Sequence, residues 1–320
     1  MLSEAEIQKI GAEIESRFEE ISKAEAQADE QPPEVLYHYT SAEGLLGIVQ
    51  SGEIWSTNVL YLNDSSELSH ATEVLRSELD ATPLQLQPNA GTFSMSIPVY
   101  SHDLALDHFV ASFCEGSDLL SQWCGYGTGA GYAIGFLSGG LESVAARTAN
   151  SVRGACTLRK VTYGLDQQKQ LIRSRIAVLR EILEPMADRL EPSLNDEFLR
   201  LGLLYQQIAA SFHPTLALMK HAAFAGEKEW RLVRTLWKPP FPTVEWAVQF
   251  RIVAGRLVPY LPMPWVLPNT PDRPEVRGIA EVWCGPSRDP DLTEKVVRDL
   301  LNARKCWSAR VLRSVVPLRT

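Results

Sequence analysis

LYHYTSAEGLLGIVQSGEIWSTNVLYLND runs from Leu36 to Asp64 and carries most of the reading of the fold. Val35 to Tyr39 has the aromatic and β-branched make-up of a strand. Thr40 or Ser41 can cap a helix, with Glu43 in its first turn, and Leu45, Leu46, Ile48 and Val49 supply an apolar face. Ser51-Gly52 ends that helix, and Glu53 to Thr57 reads as a second short strand. Tyr61 to Asp64 is a turn into a further helix through Glu67, His70 and Leu75. His38 therefore sits between two tyrosines, directly ahead of a capped helix. There an imidazole can hydrogen-bond a ribose hydroxyl or an amide on the floor of a pocket, or serve as a core histidine bonded to a backbone carbonyl.

Before this stretch, Ile7, Ile10, Ile14, Phe18 and Ile21 recur at helical spacing over residues 4–28, until Pro32-Pro33 closes the segment. The expectation is a helical appendage over 1–33 and a single domain over 34–320. The leading residues MLSEAEIQKIGAEIESRFEE lack the apolar centre of a secretory leader. Residues 84–103 read as a loop, and Phe109 to Cys114 as a strand. Two long helical patterns at about 165–190 and 195–222 read as an inserted helical hairpin. Strands are expected at Trp230 to Val233, Val244 to Val253, Arg256 to Leu261, Ile279 to Cys284 and Ala309 to Val316, with a helix from Asp291 to Asn302. This mixture lacks a strict βαβ rhythm, which predicts an α+β fold with a mixed, mostly antiparallel sheet.

Two further segments carry chemistry. SFCEGSDLLSQWCGYGTGAGYAIGF spans Ser112 to Phe136 and joins Ser112, Asp118, Ser121, Gln122, Trp123 and Tyr126 to a glycine-rich bend. Trp123 and Tyr126 can stack on a flat ring, or the segment is a glycine hairpin with a tryptophan packed over it. Its glycines do not form the dinucleotide-binding GxGxxG pattern. GEKEWRLV spans Gly226 to Val233. On a strand, Glu229 and Arg231 share one face and Trp230 the other. They form either an exposed ion pair, worth about 0–1 kcal/mol, or a functional pair. A functional glutamate there can accept a ribose hydroxyl or stabilise an oxocarbenium-like centre. Lys220 and Phe224, just ahead of this strand, can flank a pocket.

At 320 residues, 45% hydrophobic and 22% charged, the chain has the make-up of an ordinary folded protein. A formal net charge of −8 argues against a general nucleic-acid backbone binder and leaves a nucleotide open as ligand. The five cysteines form no CxxC pair, which removes most of the weight from zinc and disulfide frameworks and points to a reducing, cytoplasmic setting without metal. Neither a membrane-length apolar run nor GxSxG nor a P-loop occurs.

The blocks LYHYTSAEGLLGIVQSGEIWSTNVLYLNDSSE, SFCEGSDLLSQWCGYGTGAGYAIGF and KHAAFAGEKEWRLV occur in that order, followed by IAEVWCGPSRDP and VLRSVVPLR. Together, over about residues 35–318, they resemble the bacterial domain-of-unknown-function family 2971. That family is in turn distantly similar to the ADP-ribosyltransferase superfamily. The resemblance implies an ADP-ribosyltransferase-like sheet, NAD as substrate, and an intracellular effector, toxin or phage-defence role. It implies that His38 bonds the nicotinamide-side ribose, with Tyr39 and Thr40 beside it. Tyr126 or Ser112 lies in the middle segment, Tyr126 or Trp123 against nicotinamide, with Ser121 near and Tyr61 and Tyr132 competing for the position. Glu229 is then the catalytic carboxylate, and Arg231 and Glu227 orient it. The alternative is a non-catalytic ligand- or protein-binding module on the same scaffold.

Overall fold

The computed structural model describes residues 2–62, 65–82, 84, 106–126, 131–151, 156–190, 195–237, 248–253, 255–265 and 278–317. The chain opens with α1 (Glu4–Ala28), whose N-terminus is closed by reciprocal hydrogen bonds between Ser3 and Glu6. Then come β1 (Val35–Thr40), α2 (Ala42–Ser51) and β2 (Glu53–Asn58), the strand–helix–strand of the opening sequence. Of the two candidate caps, Ser41 does the work: its hydroxyl accepts from the Gly44 N–H. Gly52 ends α2 at φ 72°, a left-handed conformation that glycine adopts without a Cβ penalty.

The chain continues through α3 (Ser65–Ala81), β3 (Leu106–Cys114), α4 (Leu120–Tyr126), β4 (Tyr132–Leu137), α5 (Ser138–Ser151) and β5 (Cys156–Lys160). Next are α6 (Leu165–Leu183), α7 (Asn195–Leu216), β6 (Glu229–Trp237), β7 (Gln249–Val253), β8 (Arg256–Pro264), β9 (Ile279–Cys284), α8 (Pro290–Ala303) and β10 (Arg310–Arg313). The strands form one sheet in the order β10-β9-β4-β1-β3-β2-β8-β7, with β6 paired to β3 and to β5. Between these strands, only β10 with β9 is parallel. The fold is α+β with a mixed, mostly antiparallel sheet.

One detail of register positions the site. β6 pairs with all nine residues of β3. A strand has two edges, so β1 and β2 must share the other one. They do so at different points: β1 meets β3 at Cys114, and β2 meets it at Phe109 and Val110. Beyond these contacts β1 and β2 part, and a cleft opens between them.

The sheet packs its apolar side chains, among them Leu36, Ile54, Phe113, Phe136, Trp230 and Leu232, against α2, α5 and α8. A second core joins α1, α3, α6 and α7 through Ile10, Ile14, Phe18, Leu75, Ile176, Leu179, Ile208 and Phe212. Through its buried stripe of Ile7, Ile10, Ile14 and Phe18 the N-terminal helix packs into this helical layer. α6 and α7 leave and re-enter between the paired strands β5 and β6, as an inserted hairpin requires. α5 has no counterpart in the sequence reading. The glycines at its start and the Ser, Thr and Asn at its end obscure the spacing of its buried Leu141, Val144 and Ala145. The expected loop at 84–103 lies outside the described residues apart from Leu84, as do Asn63-Asp64 and residues 127–130 of the glycine bend.

Candidate functional site

The cleft has a volume of about 830 Å³, within the range of roughly 300–1,000 Å³ usual for small-ligand sites. Its walls come from β1 (His38, Thr40), the start of α2 (Ser41, Gly44), β2 (Trp55, Thr57), β3 (Ser112, Cys114), β6 (Glu229, Arg231) and Arg251 of β7. Strand alternation sorts β6 as its sequence predicts. Trp230 and Leu232 enter the sheet core, while Glu229 and Arg231 turn to the cleft.

At the inner end lies a buried ion cluster. The Arg231 guanidinium donates to both oxygens of Glu229, at 2.7 and 3.1 Å, to Glu67 at 2.6 Å and to the Ala217 carbonyl at 2.7 Å. The Lys220 ammonium touches three carboxylates: Glu227 at 2.6 Å, Glu67 at 2.9 Å and Glu229 at 3.0 Å. Glu229 and Arg231 are each only 3% exposed. The alternative of an exposed ion pair is corrected here: both ions are out of water, where breaking the pair leaves an uncompensated charge and costs about 3–5 kcal/mol. Burial works to raise the Glu229 pKa, but Arg231 and Lys220 overcome it and hold the carboxyl down to about 2. Burial likewise opposes the charge on Lys220, yet Glu229 and Glu67 hold it above the ordinary lysine range. Three carboxylates against two cations leave the cluster with one excess negative charge.

The backbone fixes these groups. Gln168 of α6, fully buried, donates to the carbonyls of Thr162 (2.7 Å) and Lys220 (2.9 Å), and so clamps the turn that presents Lys220. The Glu229 N–H donates to the Tyr163 hydroxyl at 2.9 Å.

His38 is half-buried on the wall formed by β1, with Nδ1 2.9 Å from the Ser112 carbonyl. A carbonyl only accepts, so Nδ1 carries the hydrogen and Nε2 of the neutral ring is an acceptor. Burial lowers the His38 pKa, the Ser112 carbonyl works the other way, and the positive charge of Arg251 adds to the lowering. The ring is therefore neutral at pH 7, with its acceptor nitrogen on a residue that lines the cleft. One ring nitrogen is thus tied to the backbone, and the residue lines the cleft.

The remaining expected residues divide. Thr40, Ser112 and Ser121 line the cleft. Tyr39 borders it but is otherwise engaged: its hydroxyl donates to the Gly116 carbonyl and accepts from the Leu119 N–H. Trp123 does not line the cleft. It is 5% exposed, packs edge-on against Tyr39 at 4.8 Å and donates its indole N–H to Asp118. The side chain of Tyr126 lies outside the described residues. Of the competing tyrosines, Tyr61 lines the cleft and Tyr132 is in the sheet core. Glu67 and Arg251 were not singled out by sequence. Glu67 looks like an ordinary acidic residue in a helix's first turn, and Arg251 like a solvated position on an edge strand.

Residues 122–232 match the family model described as protein of unknown function (DUF2971). The match reaches from α4 to β6 and includes Lys220, Glu227, Glu229 and Arg231, while the His38 block lies outside it. No curated protein matches the chain. Among solved structures, the chain is similar to one described as Thermus sp. 2.9 DarT in complex with ADP-ribosylated ssDNA. That likeness has 11% identity and a TM-score of 0.30, covering 89% of this chain and 96% of the other. A likeness this slight carries no argument about what this chain does. Among the described residues, no helix is long and apolar enough to cross a membrane, and no group of three or more His, Cys, Asp or Glu is arranged to hold a metal ion.

Proposed function

We propose that the cleft binds NAD and that the protein is an ADP-ribosyltransferase or NAD glycohydrolase, acting in the cytoplasm as an effector, toxin or phage-defence protein. One observation carries this reading. His38 and Glu229, 191 positions apart in sequence, line the same cleft, one as a neutral acceptor and the other as a buried carboxylate.

The chemistry suits those groups. The C–N bond between ribose and nicotinamide breaks, and its electron pair leaves with the nicotinamide, which becomes neutral. The ribose carbon gains oxocarbenium character, and a water or a target nucleophile adds and loses a proton. A fixed carboxylate beside the ribose stabilises the positive charge as it develops. A pKa of about 2 makes Glu229 a poor base, so its part is electrostatic rather than proton removal. Its bonds to Arg231 and Lys220 fix its orientation before substrate arrives, and the cluster's excess negative charge favours the cationic end of NAD.

The non-catalytic reading also has an observation behind it. Both oxygens of Glu229 are already engaged by Arg231 and Lys220, which is what a purely structural network requires. Chromatography of NAD incubated with the purified chain separates the two. Time-dependent release of nicotinamide is expected, and radiolabel from NAD on a lysate component would identify transfer over hydrolysis. NAD recovered intact, with and without lysate, would contradict catalysis.

A further inference from the structure

The helical hairpin of α6 and α7 interrupts the sheet between β5 and β6, and the residues that lead into it hold the ion cluster. Val161, Thr162 and Tyr163 join β5 to α6 and grip the main chain on both sides of the network. The Val161 N–H donates to the Glu229 carbonyl at 2.9 Å, and the Tyr163 hydroxyl accepts from the Glu229 N–H at 2.9 Å. Thr162 takes the other side. Its N–H donates to the Leu218 carbonyl at 2.8 Å, and its carbonyl accepts from the Lys220 N–H at 3.2 Å. Three consecutive residues thus set the main-chain spacing between Glu229 and Lys220.

Gln168 locks this piece to α6. Its side chain is 0% exposed, and every part of the amide is used. The nitrogen donates its two hydrogens to the Thr162 and Lys220 carbonyls, so the oxygen is the acceptor for His70 Nε2, 2.9 Å away. His70 therefore carries a hydrogen on Nε2. It stands one turn after Glu67 on α3, and Glu67 bonds the Lys220 ammonium and Arg231. α3 thus holds Lys220 at both ends, the charged head through Glu67 and the main chain through His70 and Gln168. A buried amide is costly unless each of its groups is paired, and a fully paired one fixes a single geometry.

We propose that Gln168, oriented by His70, is a positioning residue for the cluster: by tying Thr162 to Lys220 it keeps the Lys220 ammonium against the Glu229 carboxylate. Gln168 itself does not line the cleft. The inference rests on the NAD reading for the reaction, but not for the geometry.

Two measurements on Gln168→Met and His70→Phe test it. Gln168→Met keeps the length of the side chain and removes both donated bonds. In nicotinamide release, kcat should fall by about 10- to 100-fold, the scale of a displaced catalytic group, with KM within a few-fold because no cleft-lining residue changes. A merely structural glutamine would lower the melting temperature and leave kcat of the folded chain as it was. His70→Phe keeps a ring beside His221 and leaves the two donated bonds in place, so kcat should fall by a smaller factor. It stands in by the same criteria if Gln168→Met does not fold. The second measurement needs no turnover. The Glu229 carboxyl is held at about 2 against an ordinary 4.5, and a displaced Lys220 lets it rise. The loss of stability between pH 4.5 and 2 should therefore be shallower in both variants than in the unaltered chain. An unchanged kcat in folded Gln168→Met, or a rise in KM alone, would overturn the inference and leave the NAD reading in place. If the unaltered chain releases no nicotinamide, the NAD reading falls and the acid slope decides: identical slopes overturn the positioning role, and a shallower slope upholds it.

Discussion

Two of the buried charge networks among the described residues are built differently. In the helical layer, Arg175 is 1% exposed and grips both oxygens of Glu25, at 2.8 and 2.9 Å, along with the Ser22 hydroxyl and the Leu171 carbonyl. Beside it Arg159 of β5 donates to Asp29 at 2.6 Å. Two arginines meet two carboxylates and the charges cancel; the arginines are buried, while the Glu25 and Asp29 side chains stay partly exposed. In the cleft, two cations meet three carboxylates, and the network faces a hollow. A balanced network does nothing but tie α1 to its neighbours. An unbalanced network beside open space has a charge left to offer a ligand.

The contrast predicts different costs for similar substitutions. Arg175→Met should lower stability by about 3 kcal/mol, because half-buried Glu25 loses its bidentate partner. Urea unfolding would show this as a lower midpoint, while any nicotinamide release by the folded fraction stays as before. Loss of that release along with stability would erase the distinction between the two regions.

A smaller effect should appear in acid. The Glu229 carboxyl titrates at about 2 in the folded chain, against an ordinary value of 4.5. The fold therefore favours its ionised form. The stability it contributes is present above pH 4.5 and is lost as pH falls toward 2. Stability measured across that window should fall less steeply in Glu229→Gln than in the unaltered chain. Identical slopes would mean that Arg231 and Lys220 do not hold the carboxylate as described.

The smallest effect concerns Cys114, which lines the cleft opposite Glu229 in the register of β3 and β6. Burial and the charges of Glu229 and Glu227 push its thiol far above the ordinary range, so it stays protonated and is a poor nucleophile. Cys114→Ala should leave nicotinamide release within a few-fold of the unaltered chain. A loss of more than a hundredfold would move the chemistry from the carboxylate to sulfur.

Legibility in the sequence followed the range of the interaction. The β1–α2–β2 unit was readable because its alternation, its serine cap and Gly52 are local signals. The facing of Glu229 and Arg231 was readable for the same reason, since a strand has a period of two. Whether that face met water was not, because it depends on α3 and on the turn after α7. No local pattern connects Glu67 to Glu229. Trp123 shows the limit most clearly. A tryptophan beside glycines fits a ligand shelf and a core equally well, and its bond to Asp118 with its packing on Tyr39 decides for the core. The apolar stripe of α1 was legible, but not the helices that would cover it.

The most direct test of the account is nicotinamide release from NAD by Glu229→Gln, measured at a temperature where the variant is fully folded. Removing a fixed electrostatic stabiliser of the developing charge should lower the rate by about 100- to 1,000-fold relative to the unaltered chain. Release at the unaltered rate would contradict the account, and would reduce the cluster around Glu229 to the same structural role as the pair around Arg175.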